Sequence, residues 1–136
     1  MLKIPSRARN TRFWFTCLVV WFIVLNLLSH GDRFHPPTDF LWGLNIPHFD
    51  KIVHFGYFFG GGGLFAATLF FQKNRPSWTK LILIVTLILS VVGVWDEFHQ
   101  SFFANRTGND LGDWAADSLG GLFGALVFQR LHRLLL

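Results

Sequence analysis

Charge is scarce in this chain: only 15% of its 136 residues are Asp, Glu, Lys or Arg, well under the roughly 25% of soluble domains. With 51% hydrophobic residues, among them 17 Phe and 6 Trp, a soluble domain this small has nowhere to bury so much apolar surface. The composition excludes an ordinary water-soluble fold and leaves a membrane protein. Cysteine is nearly absent. Cys17 stands alone inside the first apolar run, so there is no intramolecular disulfide and the redox compartment is not readable from it. Tandem repeats, heptads and low-complexity linkers are also lacking, and one domain over residues 1–136 is the natural count. There is no His-Glu-x-x-His helix and no Ser nucleophile elbow, and the glycine run 60–63 lacks the Lys-Ser/Thr ending of a phosphate loop. No named enzyme class is supported.

What is present is a set of four apolar runs with cores at Phe13–Leu28, Ile52–Phe71, Trp78–Trp95 and Trp114–Phe128. Flanking residues extend them to spans at about 13–30, 52–71, 78–97 and 114–130, near the ~20 residues a helix needs to cross ~30 Å of hydrocarbon. The predicted fold class is all-α, an integral membrane bundle of four transmembrane helices. A signal peptide is the competing reading of the first run, because a basic head precedes it. The run is rich in Trp and Phe and long for a signal core, so it is kept as an anchor. Gly56 and Gly60 on span two, and Gly120 and Gly124 on span four, place small residues four apart, a spacing that predicts close helix contact.

Acidic residues are missing from alternate polar segments. Lys3, Arg7, Arg9, Arg12, Lys73, Arg75, Lys80, Arg130 and Arg133 flank the spans with no acid among them, whereas all eight acids share the remaining segments with Arg33, Lys51 and Arg106. Nine bases against three orient the chain with both termini in the cytoplasm. The formal charge of +4 is therefore explained by membrane topology, and no nucleic-acid partner is expected. Trp14 and Trp78 mark the inner interface, and Trp42, Trp95 and Trp114 the outer one.

Three polar groups fall at the outer ends of the spans. Asp50, Lys51 and His54 open span two, with Asp50 and His54 about 40° apart around a helix. Asp96, Glu97 and Gln100 close span three, Asp96 and Gln100 sharing a face. Asp113 and Asp117, an i, i+4 pair, open span four, and Arg106 lies between. A bundle gathers these into one outward-facing pocket. Five acids against Lys51 and Arg106 leave a formal −3 there, which protonation, a bound cation or water access must relieve. Capping accounts for Asp50 and Asp113 at helix N-termini, but a bundle needs no such number of ionisable groups merely to hold its ends. His30, His35, His48 and His132 read as interfacial, and His99 lies on a different helix face from Asp96.

The order Asp50-Lys51-x-x-His54-Phe55, Asp96-Glu97-x-x-Gln100, Arg106, Asp113 and Asp117-x-x-Gly120 resembles the VanZ-like family of bacterial membrane proteins, over roughly Pro47 to Leu126. Asp117 departs from the Asn that the family favours, and the four-glycine run has no counterpart in that pattern. The resemblance implies a cell-envelope protein of the bacterial cytoplasmic (inner) membrane, multi-pass, related to one that lowers susceptibility to the glycopeptide teicoplanin.

Two functions follow. The first is a binding protein whose pocket, Asp50, Lys51, His54, Asp96, Glu97, Gln100, Arg106, Asp113 and Asp117, engages a lipid headgroup, a lipid-linked envelope precursor or an amphiphilic glycopeptide. Lys51 and Arg106 meet phosphate or carboxylate there, and Asp96, Glu97 and Gln100 take hydroxyls or amines. The second is an intramembrane hydrolase or transferase in which Glu97, Asp96 or His54 carries the proton. Transport through four short spans would require oligomers. No metal or other cofactor is assigned. A metal-dependent version would use the oxygen set Asp96, Glu97, Asp113 and Asp117, suited to Mg²⁺ or Ca²⁺ rather than Zn²⁺.

Overall fold

The structure, a computed structural model, describes residues 10–30, 48–103 and 108–135. These form α1 (Thr11–Ser29), α2 (Phe49–Phe70), α3 (Trp78–Gln100) and α4 (Leu111–Leu131), followed by a 3₁₀ turn at His132–Leu135. No strand occurs among the described residues. Helices α1, α2 and α3 are each long and apolar enough to cross a membrane. Their outward faces carry Val20, Ile23 and Leu27 on α1 and Leu87, Val91 and Val94 on α3, all exposed. Contiguous apolar surface of this kind marks a membrane interaction, and the chain is a multi-pass membrane protein.

Helix starts lie closer to the polar segments than the apolar runs suggest. α2 begins at Phe49 and α4 at Leu111, three residues before the expected spans, and α3 continues to Gln100. Local capping explains α4. Asn109 takes a left-handed backbone with φ 64°, a conformation Asn tolerates better than most residues, and Asp110 then accepts from the amide of Gly112 at 2.6 Å. Asp50, Lys51, Asp96, Glu97, Gln100 and Asp113 therefore all sit on regular helix rather than on loops.

The helices alternate in direction. At one end Thr11 donates to the carbonyl of Phe71, Phe70 stacks on Trp78, and Phe70 packs against Phe128 and His132. At the other end Ser29 donates to Asp96 and Lys51 reaches Asp113. Between them lies an apolar core of Phe58, Leu81, Val85, Leu89 and Ala125, all fully buried.

α2 and α4 make the most extensive pairing of the bundle, and glycine permits it. A β-carbon on Gly62 would meet the backbone of Gly121, one on Gly120 the carbonyl of Phe55, and one on Gly124 the carbonyl of Phe59. Those obstacles are main chain and cannot swing aside. The expected contribution of Gly56 and Gly60 is corrected, since both face open space. Gly61 lies against the ring of Trp21, whose indole N–H donates to the carbonyl of Tyr57 at 3.1 Å while the Tyr57 hydroxyl donates to the carbonyl of Trp21 at 2.9 Å. This exchange fastens α1 to α2.

Candidate functional site

The polar end of the bundle separates into two layers. In the outer layer the Lys51 ammonium, on the first turn of α2, donates to Asp110 at 2.8 Å, Asp113 at 3.1 Å and Asp50 at 3.2 Å. Asp113 is buried, while Asp50 and Asp110 meet solvent. The hydrogen bond from Lys51, aided by the Gly112 amide, holds the Asp110 carboxyl below the usual carboxylate range. One protein cation thus sits among three acids. The layer is a stapled junction of α2, α4 and the turn before α4.

One turn deeper the balance changes. His54 Nδ1 lies 3.0 Å from Asp117 Oδ1, and Asp117 is completely buried. Asp96 and Glu97, 3% and 4% exposed, complete a group in which one ligand-capable atom from each of the four residues lies within 4.8 Å of the others. Asp96 is well served, by the Ser29 hydroxyl from α1 and by Gln100 Nε2 at 2.9 Å. Glu97 Oε2 accepts from the Asp110 amide at 2.7 Å, which couples the two layers. Glu97 Oε1 and Asp117 Oδ2 have no hydrogen-bond partner among the described residues, a costly state for buried oxygens.

His54 and Asp96 of the inner layer line a pocket of about 260 Å³ between α1, α2 and α3. Its walls are Leu25, Leu28, Phe49, Val53 and Phe58, with Tyr57, and its polar floor is Ser29, His54, Asp96 and Gln100. An apolar chamber with a few convergent polar groups is the usual form of a small-ligand site.

The structure brings together eight of the nine residues expected in the pocket but divides them. Asp50, Lys51 and Asp113 form the outer layer; His54, Asp96, Glu97 and Asp117 form the inner one, with Gln100 bonded to Asp96. Arg106 lies outside the described residues, as do Arg33, His35 and Trp42. Asp113 and Asp117 share a helix face yet take different bases, because α4 descends past Lys51 first and His54 next. Of the oxygen set considered for a metal, Asp113 is drawn away to Lys51 and His54 stands in its place. Two participants escape the sequence reading. Asp110 carried a signal, an Asn-Asp pair ahead of a helix start. Ser29 carried none, since its role depends on how α1 meets α3. His99 keeps to a separate surface, stacking with Trp95 and His30.

No curated protein and no solved structure matches the chain. A model of the VanZ/LLP1 family matches residues 8–132, from just before α1 to the end of α4, and the chain belongs to the VanZ/LLP1 family.

Proposed function

We propose that this protein is an amphiphile-binding membrane protein: an acyl or similar apolar chain occupies the pocket between α1, α2 and α3, and a polar head bearing N–H or O–H donors rests on the floor of His54, Asp96 and Gln100. The observation that carries the reading is the pocket itself, apolar along its walls with a single carboxylate, Asp96, among the polar groups at its base. A carboxylate acceptor at that position favours amines and hydroxyls and disfavours a bare phosphate. Amine- or sugar-bearing lipids, lipid-linked envelope precursors and amphiphilic glycopeptides of the teicoplanin type meet that description.

α4, with 21 residues and thus roughly 30 Å of rise, serves as the fourth span in the bacterial cytoplasmic membrane. Both termini face the cytoplasm and the acidic helix ends face outward. The basic flanks Lys73, Arg75, Lys80, Arg130 and Arg133 at the opposite end support this orientation. In a Cys17→Ser background, an impermeant thiol reagent should label Ser101→Cys and not Asn74→Cys in intact cells; the reverse pattern overturns the orientation.

The binding reading is tested with photoreactive acyl probes carrying an amine, a sugar or a phosphate head, cross-linked in nanodiscs and mapped by peptide mass spectrometry. Amine and sugar probes should label pocket residues of α1 and α2, and Asp96→Asn should reduce that labelling several-fold. Labelling spread evenly over the outer faces of α1 and α3, indifferent to Asp96→Asn, overturns it.

A second reading, an intramembrane acid–base hydrolase or transferase acting on a lipid-linked substrate, is favoured by one feature. Asp117 holds His54 through Nδ1 while His54 lines the pocket, an arrangement that orients an imidazole for proton transfer. Glu97→Gln separates the two: retained probe capture with lost turnover of a lipid-linked substrate favours catalysis, and capture falling in step favours binding.

A further inference from the structure

The geometry points to a divalent-cation site formed by His54, Asp96, Glu97 and Asp117 in the inner layer. This site shares His54 and Asp96 with the floor of the amphiphile pocket, but it rests on separate observations. The first support is the contrast between layers. Nature's usual answer to converging carboxylates is a cation. Lys51 supplies one to Asp50, Asp110 and Asp113 at 2.8–3.2 Å. The inner three acids are more deeply buried, yet among the described residues the base beside them is a single imidazole.

The second support is independent of charge. Asp117 Oδ2 and Glu97 Oε1 belong to side chains 0% and 4% exposed, and neither atom has a partner among the described residues. Each is the oxygen left over after its carboxylate has spent the other on His54 or on the Asp110 amide. Asp117 Oδ2 also lies 2.9 Å from where a β-carbon on Gly93 would sit, so α3 leaves room at this point only because residue 93 is glycine.

The donor set selects the metal. One nitrogen and three carboxylates suit Mn²⁺, Fe²⁺ or Zn²⁺ better than Mg²⁺ or Ca²⁺, which take oxygen alone. The present spread of up to 4.8 Å between ligand atoms exceeds the ~3.4 Å expected for a tetrahedron of ~2.1 Å bonds, so the side chains draw in by about 1 Å on binding. Ser29 and Gln100, already bonded to Asp96, hold that carboxylate as outer partners of a metal ligand do. A cation here would give the pocket floor an electrophile as well as acceptors.

The test uses the full-length protein in nanodiscs free of added amphiphile, stripped with chelator and titrated with Mn²⁺ alone, then with Zn²⁺. One equivalent should bind per chain, and pulsed EPR of the Mn²⁺ form should show nitrogen coupling that disappears in His54→Gln. Glu97→Gln and Asp117→Asn should each weaken binding at least tenfold, while Asp50→Asn in the outer layer leaves it unchanged. If a variant fails to fold, the nitrogen coupling of the wild-type protein still decides. No binding of either ion at millimolar concentration, bound Mn²⁺ without nitrogen coupling, or binding indifferent to Glu97→Gln in folded protein overturns the site. The probe labelling above is read on chelator-stripped protein, where no cation competes for His54 and Asp96, so the two readings fail separately.

Discussion

The outer and inner acid layers are built from the same residue types one helical turn apart, yet they solve the problem of crowded carboxylates differently. The outer layer carries its own cation, Lys51, and lets two of its acids meet water. The inner layer buries its three acids and, among the described residues, offers only His54 against them and leaves two oxygens unsatisfied. A structure that merely needed its helix ends fixed would be finished with the first arrangement. The second costs stability and turns His54 and Asp96 toward a pocket, which is where a protein tolerates such costs for function.

Four substitutions break or sharpen the contrast. Gly124→Leu should have the largest effect, because the carbonyl of Phe59 and the amide of Gly63 stand in its way. Both layers bridge α2 and α4, so both should collapse, at a cost beyond the ~4–5 kcal/mol of an exceptional single change, read as loss of monodisperse folded protein. His54→Leu should cost about 3–5 kcal/mol in thermal or denaturant unfolding, since it strands the fully buried Asp117. Lys51→Met should cost less, about 1–3 kcal/mol, because Lys51 is 27% exposed and two of its partners reach water. Adding Asp113→Asn to Lys51→Met should recover part of that loss in a double-mutant cycle.

The smallest effect is a pH dependence at Asp110. Its carboxyl is held below the ordinary range by Lys51, so its stabilisation is complete above the unfolded-state value of about 3.9 and is lost as pH falls through the lower folded value. The melting-temperature difference between wild type and Asp110→Asn should stay constant from pH 7 to about pH 5 and close below about pH 4. A difference that widens on acidification contradicts the assignment.

Much of the polar end was legible because charge in a membrane chain is rare and positioned. The segments holding Lys51, Asp96 and Asp113 stood out against apolar runs, and helical spacing put Asp96 beside Gln100, as the 2.9 Å bond between them bears out. Which acid meets which base was not legible. That depends on the register of α2 against α4, set by backbone contact at Gly62, Gly120, Gly121 and Gly124. A run of four glycines carries no side-chain information about which of its members faces a neighbour. Spacing favoured Gly56 and Gly60, whereas the contact falls on the adjacent face. Ser29 was unreadable for a related reason: a hydroxyl at the end of an apolar run becomes informative only when α1 brings it to Asp96.

The central claim is that both layers join α2 to α4, and that the inner layer in addition serves a ligand while the outer layer serves the fold alone. Native mass spectrometry of the protein released from membranes, comparing Asp96→Asn with Lys51→Met, tests it most directly when paired with unfolding of each variant. The account predicts that Asp96→Asn loses copurifying amphiphile while remaining folded, and that Lys51→Met loses stability while the surviving folded fraction keeps its amphiphile. Equal retention by both variants, or loss of amphiphile only in proportion to loss of fold, would contradict it.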